Sequence, residues 1–109
     1  MALISITTTS VTQTGTTFQV YVGGIVDTTA VTGNHVVVGL YLPPSTQPSY
    51  VVTATVTPGT PFSSWVAVFT GVAGGTYNVD AAIVDSSNPP TIIDHVILNG
   101  LVVAVASGD

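Results

Sequence analysis

Residues 71–85 read GVAGGTYNVDAAIVD. From Tyr77 onward every second residue is apolar. Tyr77, Val79, Ala81 and Ile83 share one face, while Asn78 and Asp80 lie on the other. A period of two belongs to a half-buried β-strand, not to a helix. The glycines ahead of it, Gly71, Gly74 and Gly75, mark a turn. They lack the Gly-x-Gly-x-x-Gly spacing and the following helix of a phosphate-binding loop.

The same texture continues in both directions. Beyond the strand, residues 85–90 (DSSNPP) form a loop. Residues 91–106 are apolar again, with Asn99-Gly100 inside. That pair signals either a tight hairpin or one long strand bulged at Gly100. Toward the N-terminus, residues 62–70 are apolar on both faces, with Phe62, Val66 and Val68 opposite Trp65, Ala67 and Phe69, so both faces are expected to be covered. Residues 50–57 form the cleanest strand, with Tyr50, Val52, Ala54 and Val56 inward and Val51, Thr53, Thr55 and Thr57 outward. Further runs occupy 35–42, 16–22 (with Ile25-Val26 past Gly23-Gly24 as a candidate prolongation) and 2–9, separated by residues rich in Gly, Pro, Asn and Ser. No segment keeps helical spacing over three turns. Seven or eight short strands at this spacing predict an all-β, antiparallel, immunoglobulin-like sandwich.

Tyr77 after the Gly-rich corner resembles the sixth-strand region of bacterial immunoglobulin-like and fibronectin type III-like domains. The resemblance covers about 15 residues by motif and implies a tyrosine corner, in which the ring packs in the core and the hydroxyl bonds back to the corner backbone. The antibody-type cysteine pair is absent, and Trp65 lies in the fifth run, not the third.

Composition narrows the function. The chain of 109 residues is 46% hydrophobic and only 5% charged, against about 25% charged in an average domain. It has no Lys, Arg or Glu; its charges are Asp27, Asp80, Asp85, Asp94 and Asp109. Without cationic side chains it has no means of neutralising phosphates, so no nucleic-acid partner is expected. No apolar stretch is long enough for a membrane span, so no membrane insertion is expected. Cysteine is absent, which excludes disulfides and thiolate chemistry. The N-terminus does not read as a signal peptide.

Catalytic and cofactor motifs are equally lacking. His35 and His95 sit in or beside strands and are read as structural or surface residues. Asp94 adjoins His95, but strand neighbours point to opposite faces. Asp85, Asn88 and Asp94 flank one loop without the compact spacing of a calcium site, so turn-forming, solvated roles are expected. No nucleophile-elbow Gly-x-Ser-x-Gly occurs. No enzyme activity and no cofactor are expected. Clustered Ser and Thr, such as residues 7–9, are potential acceptors of O-linked glycan.

The leading expectation is a structural subunit of an extracellular filament whose partners are identical subunits. Edge strands are normally blocked by charge, above all Lys, and this chain has none. Strand addition between subunits, donor-strand complementation, covers such edges. The candidate donor is the N-terminal strand and connector, residues 1–14, ahead of a sandwich at 15–109, with Ala2, Leu3, Ile4, Ile6 and Thr8 as its pairing residues. Residues 7–15 are read as its polar connector. The C-terminal alternative uses Leu101, Val103 and Val105. In this the chain resembles pilin-type fibre subunits. Two other readings are a virion decoration or tail protein of a phage, and a carbohydrate-binding or adhesion module displaying Trp65, Tyr21, Tyr41 or Tyr50.

Overall fold

A computed structural model describes residues 3–104. It is an all-β sandwich of eight strands: β1 (Ile4–Thr14), β2 (Thr17–Asp27), β3 (His35–Tyr41), β4 (Tyr50–Thr53), β5 (Thr55–Thr57), β6 (Phe62–Val72), β7 (Gly75–Val84) and β8 (Ile92–Val103). One antiparallel sheet has the order β1-β2-β6-β5, the other β4-β3-β7-β8. The core lies between them. Val20, Val22, Trp65 and Phe69 from the first sheet meet Val38, Leu40, Val79 and Ile83 from the second. Each comes from an alternating run, so the period of two delivers a continuous apolar layer.

Residues 50–57 are two strands, not the single strand expected. Tyr50–Thr53 pairs with β3 and Thr55–Thr57 with β6, in opposite sheets. The chain changes sheets at Ala54, whose N–H donates to Val36 O at 2.8 Å. The same parity faces inward on both sides of the crossing, so alternation alone is blind to it. This crossing leaves only short edge strands on that side of the sandwich.

Within 91–106, Ile92–Val103 forms one long bulged strand. Tyr77 pairs with Leu101 and Val79 with Leu98, so Asn78 alone opposes Asn99 and Gly100. Gly100 has φ +78°, a left-handed conformation that glycine takes without steric cost. The expectation for β6 is half corrected. Trp65, Ala67 and Phe69 are buried, but Phe62 and Val66 on the other face stay exposed, because among the described residues no element packs outside this sheet.

One helical turn, α1 (Thr28–Val31), follows β2. Asp27 caps it, accepting from the Ala30 N–H at 3.0 Å, and Val31 plugs the end of the core. No helix of the described residues is long and apolar enough to cross a membrane.

Candidate functional site on the open side of the sandwich

The two terminal strands, one in each sheet, occupy the same side of the molecule. β1 is the outer strand of its sheet and β8 of the other. They face one another across the seam. The Leu3 N–H donates to Asp94 Oδ2 at 2.8 Å, and farther along the seam Ile6, Thr7, Thr8, Thr9 and Leu98 line a shallow cleft of about 220 Å³. Both candidate donor segments named from the sequence are thus brought together. Ala2 and Val105 lie outside the described residues.

The remaining candidates divide by burial. Ile4, paired with Val26, is 1% exposed, and Val103, paired with Gly75, is fully buried. Ile6, Leu3 and Leu101 pack partly against the core. Thr8, opposite Gly23, is exposed. Within one chain, then, β1 already fills the slot that a donated strand would take. Residues 7–14, expected as a polar connector, continue β1 and pair with β2 as far as Thr14 opposite Thr17. The boundary between residues 14 and 15 coincides with a two-residue turn, Gly15–Thr16.

Both edges are long. β1 has 11 residues and β8 has 12, about twice the usual strand length. The outer surface of β8 is apolar: Ile92 is 58% exposed, Ile97 52% and Val102 61%. Such a row beside unpaired backbone groups is what proteins normally break up with charge. Sequence reasoning did not single out these residues. The signal was present in the apolar residues on both faces of 91–106, but position at an edge depends on long-range pairing.

Each of the described carboxylates is engaged within the chain. Asp27 caps α1. Asp94 points inward to Leu3 while its neighbour His95 points outward, where Nδ1 lies 3.2 Å from Asp80 Oδ1. Asp85 Oδ1 accepts from the Ser87 hydroxyl, from the Thr91 N–H at 2.8 Å and from the Ser87 N–H at 3.1 Å. The Ser87 hydroxyl, then the two backbone donors, hold its carboxyl below the usual carboxylate range. Among the described residues no three His, Cys, Asp or Glu side chains gather closely enough to hold a metal.

Tyr77 sits at the head of β7 with its ring buried and its hydroxyl donating to Ala73 O at 2.8 Å. The Ala73 N–H in turn donates to the Tyr50 hydroxyl oxygen at 3.0 Å. The two rings meet edge to face, with centroids 6.1 Å apart. Burial, and secondarily the adjacent Tyr50, push the Tyr77 phenol up. Trp65, named among the displayed aromatics, is instead a core residue, 2% exposed, with its indole N–H on Ile25 O at 3.3 Å. Tyr21 is exposed, and Tyr41 and Tyr50 are half-buried.

No protein-family model, curated protein or solved structure matches the chain.

Proposed function

We propose that the chain is an immunoglobulin-like domain serving as the structural subunit of an extracellular filament, and that it assembles by passing β1 to a neighbouring copy. The strand order supports the family reading. Lettered A, B, C, C′, D, E, F, G in chain order, the sheets are ABED and C′CFG, the arrangement of immunoglobulin-type sandwiches. Tyr77 supplies the corner bond that accompanies that fold.

The observation that carries the assembly reading is the position of β1. It is a whole edge strand, it seals the core with Ile4, and it is joined to β2 by two residues. Short hinge loops favour exchange of an element between copies. When β1 departs, its own slot is vacated. A closed pair of copies can exchange strands mutually; a chain of copies passing strands one way grows into an open fibre. The buried surfaces are the same in cis and in trans, so exchange costs little beyond opening the turn. Simple edge-to-edge pairing differs in its consequence. The long edges share one side, so two copies meeting there about a two-fold axis close a dimer instead of a fibre.

Engineered thiols separate the two modes. The wild-type chain has no cysteine, so Thr12→Cys with Gln19→Cys, partners across β1 and β2, introduces one cross-strand pair. Oxidised as a dilute monomer, it locks β1 in place. The expected result is filaments from the reduced protein and monomers from the oxidised one, seen by electron microscopy. Filaments from the oxidised, cis-locked monomer would refute strand exchange. A wild-type chain that stays monomeric at millimolar concentration would refute the filament itself.

A further inference from the structure

A second feature lies on the outer face of the β4-β3-β7-β8 sheet, away from the β1–β8 seam. A groove of about 370 Å³ is walled by Tyr41, Ser45, Asn78, Asp80 and Asn99, with Ile97 on its β8 side. That volume falls at the lower end of small-ligand sites. Three features of the fold build it.

The first is Gly39, a glycine in the middle of β3, where a larger residue would strengthen the strand. A Cβ there would stand 3.1 Å from Tyr41 Cε1 and 3.4 Å from Pro48 Cβ. The Tyr41 ring lies over the strand at Gly39 and forms an apolar wall. The second is the bulge in β8, which sets Asn99 and Gly100 opposite Asn78; bulges re-aim side chains near functional sites. The third is the hydrogen bond from the Gly100 N–H to Asn78 Oδ1, at 3.2 Å. It fixes the amide so that Nδ2, a donor, is the end with no protein partner among the described residues.

Asp80 adds an acceptor, with Oδ1 near His95 Nδ1 and Oδ2 available. Asn99 offers both kinds of group, while the Ser45 hydroxyl at the rim is held by Gln47, donating to its carbonyl and accepting from its N–H, both at 3.1 Å. The groove therefore presents one fixed donor, one fixed acceptor, an amide of either sense and an aromatic wall.

From this geometry we infer that the groove is a subsite for a neutral saccharide. A sugar hydroxyl both donates and accepts, so adjacent hydroxyls satisfy Asn78 and Asp80 together. The C–H face of a pyranose packs against Tyr41. An anionic ligand meets the Asp80 carboxylate, and the chain holds no Lys or Arg to offset it. An ammonium ligand carries donors alone and leaves the Asn78 Nδ2 facing another donor. The inference does not depend on filament formation.

The test uses the full chain, isotope-labelled for amide NMR. It is titrated with glucose, galactose, mannose and N-acetylglucosamine, and with glucuronic acid and ethylammonium as charged controls. At least one neutral sugar is expected to shift the amides of residues 78, 80 and 99 at millimolar concentration. Affinity should fall roughly tenfold or more in Asp80→Ala and Tyr41→Ala, and persist in Tyr41→Phe, which keeps the ring. Gly39→Ala, which displaces the ring without touching a polar group, should also weaken binding. Circular dichroism confirms that each variant is folded. The inference is overturned if no neutral sugar shifts these amides, if a charged control binds better, or if folded Asp80→Ala binds as wild type does.

Discussion

At the scale of single residues, the peptide of Ala73 shows how this domain holds its shape without disulfides or ion-pair networks. Its carbonyl accepts from Tyr77 and its N–H donates to Tyr50, so two aromatic side chains clasp one corner between β6 and β7. Tyr77→Phe keeps the buried ring and removes the bond, leaving the Ala73 carbonyl without its donor. A loss of about 1–2 kcal/mol is expected, read as a shift in the denaturant midpoint with unchanged slope. The phenol's raised pKa sets the sign of a second effect. The unfolded chain ionises this group first, so its stabilising contribution is whole below the ordinary tyrosine value and declines as pH climbs past it. The Phe variant should therefore lose less stability than wild type on going above pH ~10.

Asp85 gives the opposite sign. Its pKa is depressed in the folded chain, so its stabilising contribution is present above the ordinary carboxylate range and lost as pH falls through the lower folded value. Protonation removes the acceptor that holds Ser87 and Thr91. Their amides should exchange faster with solvent as pH drops below ~4, relative to the intrinsic rates. Protection that holds unchanged down to pH 2 would show that the carboxylate does not organise this loop.

Among the strands, the seam between β1 and β8 is tied, among the described residues, by one polar contact, the Leu3 N–H on Asp94. An inward-pointing charge is also one of the devices that discourages pairing at a sheet edge. Asp94→Ala removes both. The expected cost is about 1–2 kcal/mol of stability. If β1 is passed between copies, the same variant should form filaments with a shorter lag than wild type, because β1 is released more easily. A longer lag would place Asp94 in the assembled contact instead.

Most strands were legible in the sequence because the inward residues keep strict parity, as in Tyr77, Val79, Ala81 and Ile83. The sheet change at Ala54 was not, since parity runs through it unbroken. Nor was α1, a single turn held by Asp27 and too short to show a helical period. For the candidate site, the absence of Lys pointed to unprotected edges. That the first and last strands would flank one seam was hidden, because it depends on pairings between residues as distant as Leu3 and Asp94. The saccharide groove was hidden for the same reason. Tyr41, Asn78 and Asn99 sit on three strands and meet only after the bulge in β8 is set.

For the whole molecule, charge governs how copies approach. Each carries a formal charge of −5 at pH 7 and no positive side chain other than histidine. Every described carboxylate is held in an intramolecular contact, and along the two long outer strands the one carboxylate is Asp94, which points inward. Repulsion between copies is thus diffuse, acting over about 10 Å at 0.1 M salt, while the apolar rows of β8 act only at contact. Diffuse repulsion should slow encounter without preventing the final packing. If copies assemble as proposed, light scattering should show the process quicken as salt rises, and again as pH is lowered toward the isoelectric point near 4.1. The acid branch has a floor. Below the isoelectric point net charge turns positive through the two histidines and the N-terminus, and lower still, where Asp85 protonates, its loop should loosen, so the rate should pass through a maximum instead of climbing without limit. Assembly that slows monotonically with added salt would mean that specific charge pairs, not shared hydrophobic and backbone surfaces, hold the copies together.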